Sequence, residues 1–451
     1  MYDLVLKGGT LVVPDDVFEG DLAIRNGKIV AMGLDLDGET KAVWDVAGKI
    51  VLPGAVDPHV HMALPVGGAS SCDDFLAGTR AAASGGVTTL IDFTVGGRGS
   101  TLPEDLQKRL KDAKDSVIDY AFHGEVVNWT PARLAEIRTC VEMGVRSFKF
   151  FTAYADSGRR TENGPMLESF QVLAELDALA VVHAEDESII QAISAQMSDE
   201  QKSHMTALGY SRPDTCEASA VASVAWLARF SGVRLHIMHL SSQLGLEEVQ
   251  KARLDGTDIT AETCPQYLLL TEDVYRREDA RFFSASPALR TAADQQALWR
   301  ACAKKDVNFL STDHCPFTCE QKSWQGRFDR LPYGLSGVEL LLPLAYSQGV
   351  MKGRFSLSDL AELTSSSSAK LYGLYPRKGN LLPGADADIA ILDPEAEWTV
   401  RAADLHSNCD FSPYEGLAMQ GKVWATLSRG EMVWKDGEAA ARPGRGRFLA
   451  R

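Results

Sequence analysis

Between residues 51 and 379, short apolar runs alternate with stretches of helical periodicity. The runs IVLPGAVDPHVH, TTLIDFT, YAFHGEVV, SFKFFTA, LAVVHAED, RLHIMHL, DITAETC and VNFLSTDH have the length and make-up of buried strands. Between them, DDFLAGTRAAASGG, ASAVASVAWLARFSG and TAADQQALWRACAKK place apolar residues at helical spacing. Eight strands alternating with helices over about 320 residues predict a (β/α)8 barrel. A doubly wound sheet normally carries a Gly-rich phosphate loop after an early strand, and none occurs here. The two chain ends differ in texture. DLVLKGGTLVV and DLAIRNGKIVAMG near the start alternate between Gly and Asp turn signals, and ADIAILDP and WATLSRGEMVWKDGE repeat that pattern near the end. The expected organisation is an α/β chain in which a small β-sandwich domain, from residues 1–50 and 380–440, flanks a barrel over 51–379. Residues 441–451 form a tail.

Composition narrows the partners. A net charge of −15 argues against nucleic acid or an anionic membrane surface. No apolar run reaches the ~18 residues that span a bilayer, and MYDLVLKGG lacks the apolar core of a signal peptide. The expected location is the cytoplasm. The 8 cysteines follow no framework, as reduced core thiols do. Cys315 and Cys319 have no second pair at zinc-site spacing.

Barrel enzymes carry their chemistry at the C-terminal ends of the strands. Strand 1 ends in Asp57-Pro-His59-Val-His61, strand 4 carries Lys149, strand 5 ends in His183-Ala-Glu185, strand 6 in His239 and strand 8 in Asp313. One such histidine is more often a satisfied core residue, but four with an aspartate and a lysine point to metal. His59 and His61, two apart, share a face. By the same parity His236 should face the helices, opposite to His239, and His314 should face away from Asp313. His123 reads as a core histidine. His59, His61 and Asp313 would hold one ion, and His183 and His239 another. The donor types suit zinc, manganese, cobalt or iron. No further carboxylate is evident among these strands to bridge two cations. Lys149, as an ammonium, cannot ligate, but its neutral amine could add carbon dioxide to form a bridging carbamate.

GAVDPHVHMALPVGG, SFKFFTAY, VHAEDES, HLSSQLGLEEVQKA, AETCPQYLLL, STDHCPF and SSAKLYGLYPRKGNLLPGADADIAILDP together resemble the hydantoinase/dihydropyrimidinase branch of the cyclic amidohydrolases. The resemblance runs over nearly the whole chain. It implies a metal-binding barrel with a β-sandwich domain, and two divalent ions, zinc first among the candidates, bridged by N6-carboxylysine at Lys149. It places metal ligation on His59, His61, Lys149, His183, His239 and Asp313, and substrate contact on Tyr154, Ser286 and Tyr333. Tyr333-Gly-Leu-Ser-Gly stands where relatives usually read Asn-Gly-Leu-Pro-Gly, and Ala63-Leu-Pro-Val66 where many read Asp-Met-Pro-Phe. Many relatives run on past the position of Arg451, with a tail that joins subunit contacts in some; the expected assembly is a homo-oligomer, tetramer or dimer.

The implied reaction is hydrolysis of a small cyclic ureide or amide, a hydantoin or dihydropyrimidine, to an N-carbamoyl amino acid. A hydroxide bridging the metals attacks, Tyr154 stabilises the oxyanion, and Asp313 shuttles the proton. Leu64, Val66, Thr152 and Tyr154 should line the wall facing the ring substituent. Three alternatives fit the sequence less well. Dihydroorotase places an Arg just after its His pair, where this chain has Met62 and Ala63. Allantoinases usually lack a match for Tyr154. Dihydropyrimidinase-like assembly proteins lose metal ligands, and all six positions are filled here.

Overall fold

The computed structural model describes residues 1–14, 16–66 and 68–451. Eight parallel strands form the barrel: β1 (Ala55–Val60), β2 (Val87–Phe93), β3 (Asp119–Glu125), β4 (Ser147–Phe151), β5 (Leu179–His183), β6 (Arg234–Ile237), β7 (Ile259–Thr263) and β8 (Phe309–Leu310), paired in sequence order. β1 and the chain after β8 close the circle through a Val60–His314 parallel bridge. Asp57 fastens the same seam, accepting from the Thr312 hydroxyl at 2.5 Å and the Thr312 backbone N–H at 3.2 Å. The closure therefore fixes the first and last rim residues against each other.

Alternation along the strands decides what points inward. Val56, Ile91, Phe93, Ala121, Leu179, Val181, Met238 and Phe309 fill the barrel with Tyr372, Leu374 and Leu449. Their neighbours Leu90, Phe122, Phe148, Phe150, Ala180, Val182, Leu235 and Ile237 pack outward against the helices. The three quoted helix candidates fall on Phe75–Ser84, Asp214–Ser231 and Ala292–Lys304.

The first strand candidate is two strands. Ile50–Pro53 joins a sheet of the chain ends and Ala55–Val60 joins the barrel. Gly54 sits at the switch, where a Cβ would come within 2.3 Å of the Thr88 side chain, so only glycine passes. The end sheet runs in the order 438–439, 431–435, 418–428, 389–399, 50–53, 4–13, 16–25, 28–33, with 43–45 also beside 4–13. Strands 4–13, 16–25 and 28–33 are the expected meander. Strands 43–45 and 50–53 then return parallel to the first. The sheet wraps one apolar core from both ends, including Leu6, Leu11, Leu22, Ile29, Ile389, Ile391 and Leu427. Fully buried Lys378 ties it to the barrel base, its ammonium 2.7 Å from Asp119, 3.0 Å from Asp386 and 2.6 Å from Asp388. Three carboxylates that share an ammonium in this way are a structural lock.

The tail continues the plug beneath the barrel. Leu449 donates its N–H to Tyr120 O at 2.7 Å and buries its side chain with the inner core. Arg451 donates to Phe122 O at 2.5 Å and to Ser147 Oγ at 2.9 Å. Leu449→Ala should lower unfolding free energy by roughly 2–5 kcal/mol, the usual cost of a buried Leu truncation. Urea unfolding followed by far-UV circular dichroism reads it, and an unchanged midpoint would show that the tail does not seal the core.

Candidate metal centre

The rim brings the sequence-predicted donors together. His59 Nε2 and His61 Nε2 both lie 3.0 Å from Asp313 Oδ1. One nitrogen or oxygen from each of the three falls within 4.8 Å of the others. Across the rim, His183 Nδ1 and His239 Nε2 face each other at 2.9 Å. The rings of His59 and His239 are 5.4 Å apart, so the two groups adjoin. Lys149 rises between them on β4, only 1% exposed. Among the described residues no carboxylate touches its ammonium. It donates to the Met238 sulfur at 2.9 Å and sits 5.4 and 5.0 Å from the Phe93 and Phe151 ring centres.

Burial drives the electrostatics. It pulls the Lys149 amine down to about 8, against the attraction of Asp313 and Glu262. It holds His61 and His183 below the ordinary imidazole value and His239 far below it, the charges of His183 and Lys149 adding to the effect. His59 is the exception. Burial opposes its charge, yet Asp313 and Glu262 outweigh that and lift it to about 9. Asp313 is held far below the usual carboxylate range, burial being overcome by His59 and His61. Three imidazoles whose protonation burial disfavours, a fourth flanked by two carboxylates, an aspartate held ionised and an amine with a lowered pKa form a donor set that fits cations at the positions now taken by these close nitrogen–oxygen and nitrogen–nitrogen contacts.

Backbone strain aims three of these side chains. His239, Asp313 and Tyr154 have φ of 40°, 50° and 73°, a region non-glycine residues seldom occupy. The loop after His239 is clamped by Glu217, which accepts from Ser241 N and Oγ and Ser242 N and Oγ at 2.5–2.9 Å. Asp186 caps the helix that starts just after Glu185, accepting from Ser188 and Ile189.

Strand parity misleads at β6. His236 does not face the helices: it stacks on Phe309 inside the barrel at 5.0 Å, beneath the rim. His239 lies two residues beyond the strand's end, and its positive φ turns it inward despite opposite parity. His314 faces Asp73, 2.9 Å away, while His123 is satisfied by Ser147 Oγ and Pro58 O at 2.7 and 2.9 Å. A further carboxylate is present after all. Glu262 on β7, fully buried, accepts from His59 Nδ1 at 2.5 Å and lies 3.3 Å from His236 Nε2. It points at the back of His59, which fixes that ring with Nε2 towards the rim. The only sequence signal for it was an acidic residue on the inward parity of AETC.

Beside the His183 pair lie the groups expected to touch substrate. Tyr154 and Ser286 share a hydrogen bond through their hydroxyls, and Ser286 donates to Glu185 at 3.0 Å. Tyr333 is half-buried in the loop after β8. Arg212, not among the sequence candidates, pairs with Glu185 and stands over the rings of both Tyr154 and Tyr333 at 5.4 and 5.6 Å. Leu64 packs with Cys315 and Phe317, with Val66 against them. Thr152 spends its hydroxyl on the backbone, donating to Glu185 O at 2.8 Å and accepting from Glu185 N at 2.9 Å, so it ties β4 to β5.

Residues 50–433 match the amidohydrolase family. The chain is 41% identical to a D-phenylhydantoinase of Escherichia coli O1:K1 / APEC, over 99% of this chain and 98% of that one. Its structure is similar to that of a dihydropyrimidinase from Brevibacillus agri NCHU1002, with TM-score 0.97, 32% identity and 100% and 99% of the two chains covered. It is also similar to an L-hydantoinase from Arthrobacter aurescens, with TM-score 0.92, 32% identity and full coverage of both.

Because Glu262 orients His59, Glu262→Gln should weaken metal binding about 10–100-fold without unfolding the protein. Competition with a chromophoric chelator measures it, and unaltered affinity would mean that Glu262 only fills the core.

Proposed function

The chain belongs to the amidohydrolase family and is a metal-dependent cyclic amidohydrolase; from that premise we propose that it opens a hydantoin or 5,6-dihydropyrimidine ring to an N-carbamoyl amino acid. The observation that carries the reading is the rim itself: three buried imidazoles and a half-buried one, a carboxylate and a lysine with no carboxylate in contact among the described residues, with paired Tyr and Ser hydroxyls alongside. Relatives named for hydantoin and dihydropyrimidine rings support it over the allantoin, dihydroorotate and assembly-protein alternatives.

His59, His61 and Asp313 would hold one divalent ion and His183 and His239 a second, zinc first among the candidates, with the Lys149 amine as an N6-carboxylate between them. Bound there, such ions would acidify a water and polarise the substrate carbonyl. Asp313, ionised by its imidazole neighbours, accepts a proton from the attacking water as the new C–O bond forms. It returns that proton to the ring nitrogen as the C–N bond breaks. Tyr154 donates its hydroxyl to the carbonyl oxygen as charge develops, and Ser286 and the backbone at Tyr333 bind the remaining ring edge. The desolvated setting of Lys149 supports carbamate formation, because the neutral amine is the form that adds carbon dioxide.

The reading extends to the whole molecule: an end-sheet domain from 1–50, its last strand carried on to Pro53, and 380–440, a barrel over the rest of 51–379 and a tail over 441–451. Eight unpaired cysteines support a reducing cytoplasm. Trp226 and Phe230, one helical turn apart and 59% and 75% exposed, support a homo-oligomer, dimer or tetramer.

Purified protein given hydantoin, 5-substituted hydantoins, dihydrouracil, allantoin and dihydroorotate should open the first three kinds of ring. Turnover confined to allantoin or dihydroorotate would overturn the assignment. Asp313→Asn should lower the rate by at least about 100-fold, since positioned acid–base groups contribute that much; a metal-replete variant above about a tenth of wild-type rate removes Asp313 from the proton path. Lys149→Ala should lose metal by elemental analysis and regain part of it with a short carboxylic acid, whereas undiminished metal would exclude Lys149 as a ligand.

A further inference from the structure

Arg212 lies outside the barrel strands, in the turn between helices Thr206–Ser211 and Asp214–Ser231. Its side chain is nevertheless only 9% exposed, because it reaches across the rim. Nη1 donates to Glu185 and, at 3.1 Å, to Ser286 Oγ. The guanidinium covers the faces of Tyr154 and Tyr333. Glu185 in turn places Oε2 3.1 Å from His183 Nε2. One cation thus touches every group assigned above to the substrate ring and, through a single carboxylate, the back of a metal-side histidine.

Stability alone does not call for this arrangement. A buried ion pair often contributes no more than apolar side chains of the same volume, because both charges must be desolvated. Tyr154, by contrast, needs a hold from outside its own segment: its φ of 73° lies beyond the strand and leaves its aim to its contacts. The far end of Arg212 is also braced. Its carbonyl accepts from Arg290, whose Nε donates to Ser241 Oγ at 3.0 Å, and Ser241 belongs to the Glu217 clamp behind His239. The side chain is therefore a strut between the loops that follow β4, β5, β7 and β8, and its backbone carbonyl is tied through Arg290 to the loop after β6.

We propose that Arg212 is a positioning residue for ring hydrolysis, holding the Tyr154 and Ser286 hydroxyls in register with the His183 side of the metal centre. The proposal rests on the hydrolytic reading above. Lysine at this position keeps a charge for Glu185, but its compact ammonium cannot reproduce the planar guanidinium that donates to Glu185 and Ser286 while lying over the Tyr154 and Tyr333 rings. Arg212→Lys should therefore keep its metal content and melting temperature, and lower kcat about 100-fold, the cost of roughly 1 Å of misplacement, with KM little changed. In a Tyr154→Phe background the same change should cost less than about threefold more, because the hydroxyl it positions is already gone. A crystal structure of Arg212→Lys should show the residue-154 hydroxyl parted from Ser286.

Near-wild-type kcat in Arg212→Lys, full multiplication of the two losses, an unmoved Tyr154–Ser286 pair, or a rate loss that tracks metal loss would each overturn the proposal. Failure of the hydrolytic reading is told apart by the wild-type protein: inactivity towards every ring would sink that reading, and the crystallographic comparison would still decide the role of Arg212.

Discussion

The ammonium of Lys149 is carried into the barrel with a thioether and two aromatic faces for company and, among the described residues, no carboxylate in contact. Such a group is expensive to desolvate, and burial accordingly draws its pKa down to about 8. The surrounding rim compounds the difficulty, since the same burial holds His183 and His239 below the ordinary imidazole value, with the Lys149 charge adding to it at both. An assembly of donors this poorly satisfied on its own makes chemical sense once cations and a carboxylated lysine complete it. The remaining features of the fold hold these donors in place.

That holding is distributed. Asp57 seals β1 to the chain after β8, so that His59, His61 and Asp313 converge although about 250 residues separate them in sequence. Glu262 sets the tautomer of His59 from behind. Glu217 grips the loop that turns His239 inward. Positive φ at His239, Asp313 and Tyr154 is the strain these clamps contain. Reactive side chains thus sit on strained strand ends, and the residues that stabilise them lie one layer out.

Much of this was legible in the chain. Eight apolar runs at barrel spacing become eight parallel strands, and the His pair two residues apart reaches one carboxylate. Illegible were the places where local rules yield to tertiary contacts. Parity assigned His236 outward because it assumed that β6 runs straight to His239, whereas the strand stops at Ile237 and the backbone turns over. IVLPGAVDPHVH reads as one strand because nothing in its apolar content marks the change of sheet at Gly54. Glu262 is silent in the sequence because an acidic residue within a short strand resembles a turn or surface position until its imidazole partners His59 and His236 are known. Arg212, in a loop far from any motif, acquires meaning only through the Glu185, Ser286 and tyrosine contacts that folding gives it.

The central claim is that Lys149, four histidines and Asp313 form one binuclear centre bridged by a carboxylated lysine. Crystals grown with zinc and bicarbonate, with anomalous scattering recorded on both sides of the zinc edge, test it directly. The account predicts two anomalous peaks, one beside His59, His61 and Asp313 and one beside His183 and His239, with continuous density from Lys149 Nζ to a carboxylate between them. A single peak with a bare Lys149 ammonium in metal-saturated crystals would contradict it.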